Sequence, residues 1–282
     1  LDVPAFPGAL ALSFDGTELF VEEQVFPRPR VAYIRGLGTS PLAPRYEAEL
    51  AERPRGLVAQ CEEKRSFVES ILLTWQMRGS VLVNSLEANA QHGRKPYQLS
   101  LLASAGLPVP EWFATNDPAQ LKARLAADAS AEWIYKPLAG GAAVKALTDD
   151  DLTDERLAAL AHAPVLFQRR VEGVSVRAYV VDNQVVAAAE ITSGALDYRT
   201  DEGAVTPVEL TDGEWLACVA AAEVCGMHFS GVDLIRTPGG SFTLLECNPS
   251  PMFAVFESKS GLDVAGPLAD YLLGATRLHR RI

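Results

Sequence analysis

The sequence predicts an α+β protein of about two domains, and three observations carry that expectation. The chain has 282 residues, 48% of them hydrophobic, 22% charged and 8% aromatic, which is the balance of a globular chain at roughly 150 residues per domain. Helical periodicity is plain in Glu62–Met77, where Phe67, Ile71, Leu72 and Trp75 fall on one face. Antiparallel hairpins are equally plain: Val176–Val181 and Gln184–Ile191 flank Asp182-Asn183, and Ser230–Arg236 and Phe242–Glu246 flank a Pro238-Gly239-Gly240 turn.

The remaining elements follow in order. Residues 1–60 mix short apolar runs with Pro and Gly, so Gly8–Phe14, Thr17–Val21, Val31–Tyr33 and Gly56–Ala59 are expected strands. Ser80–Val83 reads as a strand ending at Asn84. Pro96 opens a helix running to about Ala105, closed by Gly106, and Asp117-Pro118 opens another to about Ala127. Trp133–Lys136 and Val165–Gln168 are short strands. Glu214–Cys225 is helical with Gly226 at its end, and a last helix covers about Val264–Leu273.

Charge and cysteine usage exclude several classes. With 25 Lys and Arg against 36 Asp and Glu, the net charge is −11, which disfavours a nucleic-acid partner held by bulk basic charge. No apolar stretch approaches the ~20 residues that span a bilayer, so no membrane partner is expected and the location read from the sequence is cytoplasmic. Cys61, Cys218, Cys225 and Cys247 form no CxxC pair, and they read as small buried thiols.

The most informative cluster lies on the last hairpin, in Gly231-Val232-Asp233-Leu234 and Leu244-Leu245-Glu246-Cys247-Asn248-Pro249. Residues two apart on a strand share a face, so Glu246 and Asn248 project together while Cys247 points into packing. A four-residue loop pairing Thr237 with Phe242 would set Asp233 opposite Glu246. Two carboxylates and an amide, with no His or Cys, suit a hard divalent cation such as Mg²⁺. The alternative is a pair of solvated acids on an edge hairpin, but Asp233 sits inside an apolar strand, where an unpaired acid is costly.

Cationic candidates accompany the acids. Lys136 ends a strand and precedes Gly140-Gly141, an arrangement that lets a lysine and backbone amides meet phosphate; a surface charge is the other reading. It has no P-loop spacing, and Gly36-Leu37-Gly38 is no dinucleotide fingerprint. Arg177 and Arg199 could bind phosphate or carboxylate bidentately, or form structural ion pairs.

Taken in order, these segments resemble the ATP-grasp superfamily, most closely its RimK-like branch of peptide and amino-acid ligases. The resemblance spans about residues 80–275: Asn84-Ser85, Lys95 before a helix, Ala105 to Pro110, Tyr135-Lys136-Pro137 with Gly140-Gly141, Phe167 to Val171, Arg177, Asp197-Tyr198-Arg199, Asp233, and Glu246 to Pro249. It implies an ATP-grasp fold, two α+β subdomains gripping ATP behind a short N-terminal pre-grasp-like sheet region. The implied division is 1–90 for that region, 91–165 for the small lid subdomain and 166–282 for the C-terminal subdomain with the metal site.

The resemblance also implies roles. Lys95 and Lys136 would contact the ATP phosphates, with the Gly140-Gly141 loop over them. Gln168, Arg169, Arg170 and Val171 would form the linker whose backbone meets the adenine edge, and Ser175 stands at the ribose position. Arg199 would act at the reacting phosphate and Arg177 on phosphate or substrate. Asp233, Glu246 and Asn248 would bind Mg²⁺, with Mn²⁺ as the alternative ion. Arg169 replaces a common Glu, Ser175 a common acid, Asp201 a common Asn, and the N-terminal region is shorter than the usual pre-grasp domain. The segment Phe253 to Glu257 also resembles macrocyclase-like relatives that modify ribosomal peptides.

The reaction so implied is ATP-dependent carboxylate–amine ligation through an acyl phosphate, on an amino acid, peptide or protein side chain. The alternatives are a phosphotransferase on the same site and a nonenzymatic nucleotide-binding protein. The carboxylate and amine substrates, and whether the chain forms a homo-oligomer, stay open at this stage.

Overall fold

The computed structural model describes residues 6, 8–139, 143–192 and 203–278. Gly140, Gly141 and Arg199 therefore lie outside the described residues, as does Asp201. The chain divides into two compact units, Leu1–Leu86 with Leu272–Ile282, and Glu87–Tyr271.

In the first unit, β1 (Leu12–Phe14), β2 (Leu19–Val21) and β3 (Gln24–Phe26) form an antiparallel meander. Its β2–β3 turn is the two residues Glu22 and Glu23, with φ of 49° and 70°. The strand β4 (Val31–Tyr33) pairs in parallel with β5 (Val81–Val83), and α1 (Glu47–Glu52) and α2 (Pro54–Met77) lie between them in sequence. Gly56–Ala59 is not a strand but the opening of α2. Pro54 stands in the first turn, and Leu57, Cys61, Lys64, Val68, Ile71, Leu72 and Trp75 are the buried positions. Their three- and four-residue steps make one helical stripe, so the period seen from Glu62 onward extends back to Leu57. Val68, Ile71, Leu72 and Trp75 from this stripe pack with Leu19, Ile34 and Leu82 as the unit's core.

The second unit begins with α3 (Leu86–Ala90), which straddles the boundary, and α4 (Lys95–Ser104). A four-stranded antiparallel sheet follows, ordered β6-β9-β7-β8, from β6 (Trp112–Thr115), β7 (Trp133–Pro137), β8 (Lys145–Ala146) and β9 (Val165–Arg169). One face, with Trp133 and Phe167, is covered by Leu121 of α5 (Pro118–Ala127) and by Leu157 and Leu160 of α6 (Asp154–Leu160). Asp117 caps α5, accepting from the N–H of Ala119 at 2.8 Å.

The larger sheet is five-stranded and antiparallel, ordered β12-β11-β10-β13-β14. Its strands are β10 (Val174–Val181), β11 (Gln184–Thr192), β12 (Ala204–Pro207), β13 (Phe229–Arg236) and β14 (Phe242–Asn248). Asp182 and Asn183 form the β10–β11 turn with φ of 45° and 63°, the left-handed conformation those residue types tolerate. Alternation sends Val176, Ala178, Val180, Val232, Leu234, Leu244 and Cys247 to one face, packed with Leu102 of α4 and with Ala217, Cys218, Ala221 and Ala222 of α7 (Asp212–Val224). Each large aliphatic side chain buried there contributes about 2–3 kcal/mol of apolar transfer. The unit is completed by α8 (Ala254–Ser260) and by α9 (Ala265–Leu278), which runs across the boundary.

The four cysteines are buried free thiols. No described helix is long and apolar enough to cross a membrane.

Candidate nucleotide and metal site

With the hydrophobic face of the five-stranded sheet turned to the helices, the opposite face carries the polar residues. Ser175, Arg177 and Tyr179 project there from β10. Register places Arg177 opposite Asp233, and Asp233 opposite Glu246, so three charged side chains form one row across β10, β13 and β14. In the next row Gly231 stands opposite both Tyr179 and Asn248.

The Asp233–Glu246 pairing expected from the sequence is present, but it arises differently. Arg236, not Thr237, pairs with Phe242, and a bulge at Leu245 between the Leu244 and Glu246 pairs restores the alignment. One extra residue in the loop and one in the bulge offset each other.

Arg177 donates to both carboxylate oxygens of Asp233, from Nε at 2.7 Å and Nη2 at 2.6 Å. Lys95, the first residue of α4, donates from Nζ to Oε2 of Glu246. Asn248 Oδ1 accepts from the N–H of Ser250 at 3.0 Å. Burial would raise the Glu246 carboxyl, but the charges of Lys95, Lys136 and Arg177 outweigh it and hold it at about 2. Burial raises Asp233, Arg177 opposes that rise and Glu246 adds to it. Lys136, itself buried at 7% exposure, thus stands within electrostatic reach of Glu246. Three cations face two carboxylates, an excess of positive charge suited to a polyphosphate.

The small sheet supplies the other wall. Lys136 pairs with Leu166 and Ile134 with Gln168, so Lys136 and Gln168 share a face, opposite the face covered by α5 and α6. Gln168 is 1% exposed, and its Oε1 has no hydrogen-bond partner among the described residues. A buried acceptor left without a donor is costly, and a ligand N–H would satisfy it.

Other expected residues are placed elsewhere. Arg169 pairs across the sheet with Trp133, on the far face, and its guanidinium meets Asp128 at 3.0 Å and Glu111 at 3.6 Å. Arg170 is bound to Glu132 at 2.7 Å. Their backbone N–H groups donate to Glu111 and Glu132 carbonyls. Ser175, opposite Ile235, is half-buried on the face that carries Arg177.

The sequence reading overlooked Gln98 and Gly173, and quoted Gly231 within its cluster without giving it a role. Gln98 lies three residues after Lys95, on the same side of α4. A Cβ on Gly231 would approach Pro251 Cβ to 2.8 Å, just after the asparagine. Gly173, between β9 and β10, has φ of 152°, and a Cβ there would meet the Arg236 carbonyl oxygen at 2.0 Å.

Among the described residues no group of three or more His, Cys, Asp or Glu could hold a metal ion. The oxygen donors on this face are two carboxylates and an amide, the ligand type Mg²⁺ prefers.

Two sheets, one bearing a buried lysine and an unsatisfied amide, the other a row of acids and cations, are the architecture of an ATP-grasp domain. Residues 94–272 match the model of the RimK-like ATP-grasp domain, and the chain belongs to that family. It is an ATP-dependent carboxylate–amine ligase of the ATP-grasp kind. Over 225 residues it is 29% identical to the probable alpha-L-glutamate ligase of Thioalkalivibrio sulfidiphilus, covering 75% of this chain and 73% of that one. The ATP-grasp ligase PsnB, complexed with a phosphomimetic variant of a minimal precursor, Mg and ADP, superposes with a TM-score of 0.88 at 36% identity, over 97% of this chain and 88% of that one. The macrocyclase MdnC of Microcystis aeruginosa, bound with precursor peptide MdnA, shares the fold with a TM-score of 0.77 at 17% identity, over 98% and 90% of the two chains.

Proposed function

We propose that the protein activates a carboxylate of a peptide with ATP and Mg²⁺ and joins it to an amine. The observation that carries this reading is the convergence of Lys95, Arg177, Asp233 and Glu246 on one sheet face, within the field of Lys136 and with Asn248 in the adjoining row.

Asp233, Glu246 and Asn248 are the residues to hold the metal, with Mn²⁺ as a substitute ion. Bound there, the metal would neutralise phosphate oxygens during transfer. The chain's own groups do the rest by positioning and charge. Lys95 and Lys136 hold the phosphates, and Lys95 exchanges its Glu246 partner for phosphate as nucleotide enters. Gln168 Oε1 accepts from the exocyclic amine of adenine, the linker to Val171 lines the base edge, and Ser175 faces the ribose. Arg177 holds Asp233 in its ligating orientation. Arg199 is assigned to the reacting phosphate and Gly140-Gly141 to covering the phosphates, as the family resemblance implies. The division at 1–90, 91–165 and 166–282 is proposed as pre-grasp-like region, lid and metal-binding subdomain.

In the reaction the substrate carboxylate oxygen attacks the γ-phosphorus and ADP departs, leaving an acyl phosphate. An amine then attacks the acyl carbon and phosphate leaves. A peptide substrate is supported by PsnB, which has been captured with the precursor peptide PsnA2.

The test is incubation of acidic peptides with ATP and Mg²⁺, with and without free amino acids, followed by mass spectrometry with and without hydroxylamine. The expected result is ADP release with hydroxamate trapping. A product short by the mass of one water marks an acceptor in the same peptide, and a product gaining a residue marks a free amino acid. A stable phosphopeptide, or ADP without a trapped acyl group, would sink the reading.

A further inference from the structure

The metal-binding residues proposed above sit on β14, the last strand of the five-stranded sheet. One edge of β14 pairs with β13; the other has no strand beside it among the described residues. Unsupported edge strands fray and shift register. Glu246 and Asn248 are on this strand, one and three residues beyond the Leu245 bulge, so their geometry depends on how that open edge is held.

Gln98 holds it. Its side chain is 3% exposed. The amide Nε2 donates to the Cys247 carbonyl at 2.7 Å, and Oε1 accepts from the Cys247 N–H at 2.9 Å. The amide thus reproduces, with one side chain, the pair of hydrogen bonds a neighbouring strand would supply. Cys247 lies between Glu246 and Asn248, and its own side chain is buried in the core. A second contact on this strand is the Leu244 N–H donating to the Pro108 carbonyl at 2.7 Å, on the far side of the bulge. One turn earlier on α4, Lys95 reaches Glu246 itself. The helix therefore grips both the carboxylate and the peptide unit that fixes the spacing between carboxylate and amide.

The geometry points to Gln98 as a positioning residue for the metal-ligand pair Glu246 and Asn248, an inference that rests on the magnesium reading above. Groups that orient metal ligands from behind change metal affinity by roughly 10–100-fold when removed.

The experiment is calorimetric titration of ADP in Mg²⁺ and in EDTA, comparing the parent, Gln98→Met and Glu246→Gln. Gln98→Met keeps length and apolar volume but neither hydrogen bond; Gln98→Asn, a methylene short, is the second variant. The expected result is that the gain in ADP affinity from Mg²⁺ falls at least tenfold in the Gln98 variants, while affinity in EDTA stays within about twofold. A purely structural role would lower both affinities or neither. An undiminished Mg²⁺ gain in the Gln98 variants, with the gain lost in Glu246→Gln, overturns this inference alone. A gain retained in Glu246→Gln overturns the magnesium reading beneath it. Failure of both Gln98 variants to fold would also overturn the inference, since the contact would then determine the fold.

Discussion

Asp233 shows how a single residue can be read against its neighbours. An acid inside an apolar strand is expensive unless compensated, and here Arg177 compensates it on both oxygens. The Asp233→Asn variant keeps the shape but weakens the charge-assisted pair and removes an anionic oxygen donor. Turnover should fall 10²–10³-fold, about 3–4 kcal/mol of transition-state stabilisation, as measured by ADP release at saturating Mg²⁺. Glu214 is compensated in a structural setting. It closes the capping box of α7 with Thr211 and binds Arg236 Nε at 2.6 Å. Burial would raise its carboxyl, but Arg236 and the Thr211 N–H hold it below the usual range. Such a group contributes stability above its unfolded pKa, and that contribution is lost as pH falls through the lower folded value. Glu214→Gln should cost about 2 kcal/mol near neutrality, between the exposed and buried limits, and the gap to the parent should close toward acid pH in thermal melts. The cluster of Asp233, Glu246 and Asn248 stood out in the sequence because polar types are rare in apolar strands, and Lys136 because it ends a strand before a glycine pair; Lys95 entered only with the family resemblance. Gln98 was not legible, because a glutamine on a helix carries no sign that its partner is a backbone 149 positions away.

At the level of elements, period and punctuation located most helices and both long hairpins. The β10–β11 turn and the end of α7 at Gly226, with φ of 66°, follow directly from residue types that accept left-handed backbone. Gly56–Ala59 failed because four residues cannot separate a strand from the first turn of a helix, and the deciding stripe lay further along α2. The hairpin register came out right through two offsetting errors, since bulges leave little mark in sequence. The β9–β10 linker depends on Gly173. Gly173→Ala would drive a Cβ into the Arg236 carbonyl from a backbone conformation other residues rarely adopt. We expect a loss of about 3 kcal/mol or more in urea unfolding, with a lowered midpoint and an unchanged slope; a midpoint matching the parent would contradict this.

Across the whole molecule, the ordered set of motifs carried more information than any member. The α+β class and the ATP-grasp architecture were both readable from about residue 80 onward, where chemistry constrains residue types. The first unit was less legible, because the short strands β1 to β3 fully bury only Leu19 and leave weak alternation. Substrate choice is written in surfaces that charge and periodicity do not encode, so it enters through the peptide assay proposed above. The central claim is that the polar face of the five-stranded sheet gathers oxygen ligands for a metal beside nucleotide phosphates held by Lys95 and Lys136. A crystal of the ADP complex grown with Mn²⁺ tests it most directly, through anomalous difference density. A manganese peak coordinated by Asp233, Glu246 and Asn248 and by ADP phosphate oxygens is the predicted result. A peak away from those side chains, with nucleotide bound and the three ligands unengaged, would contradict the account.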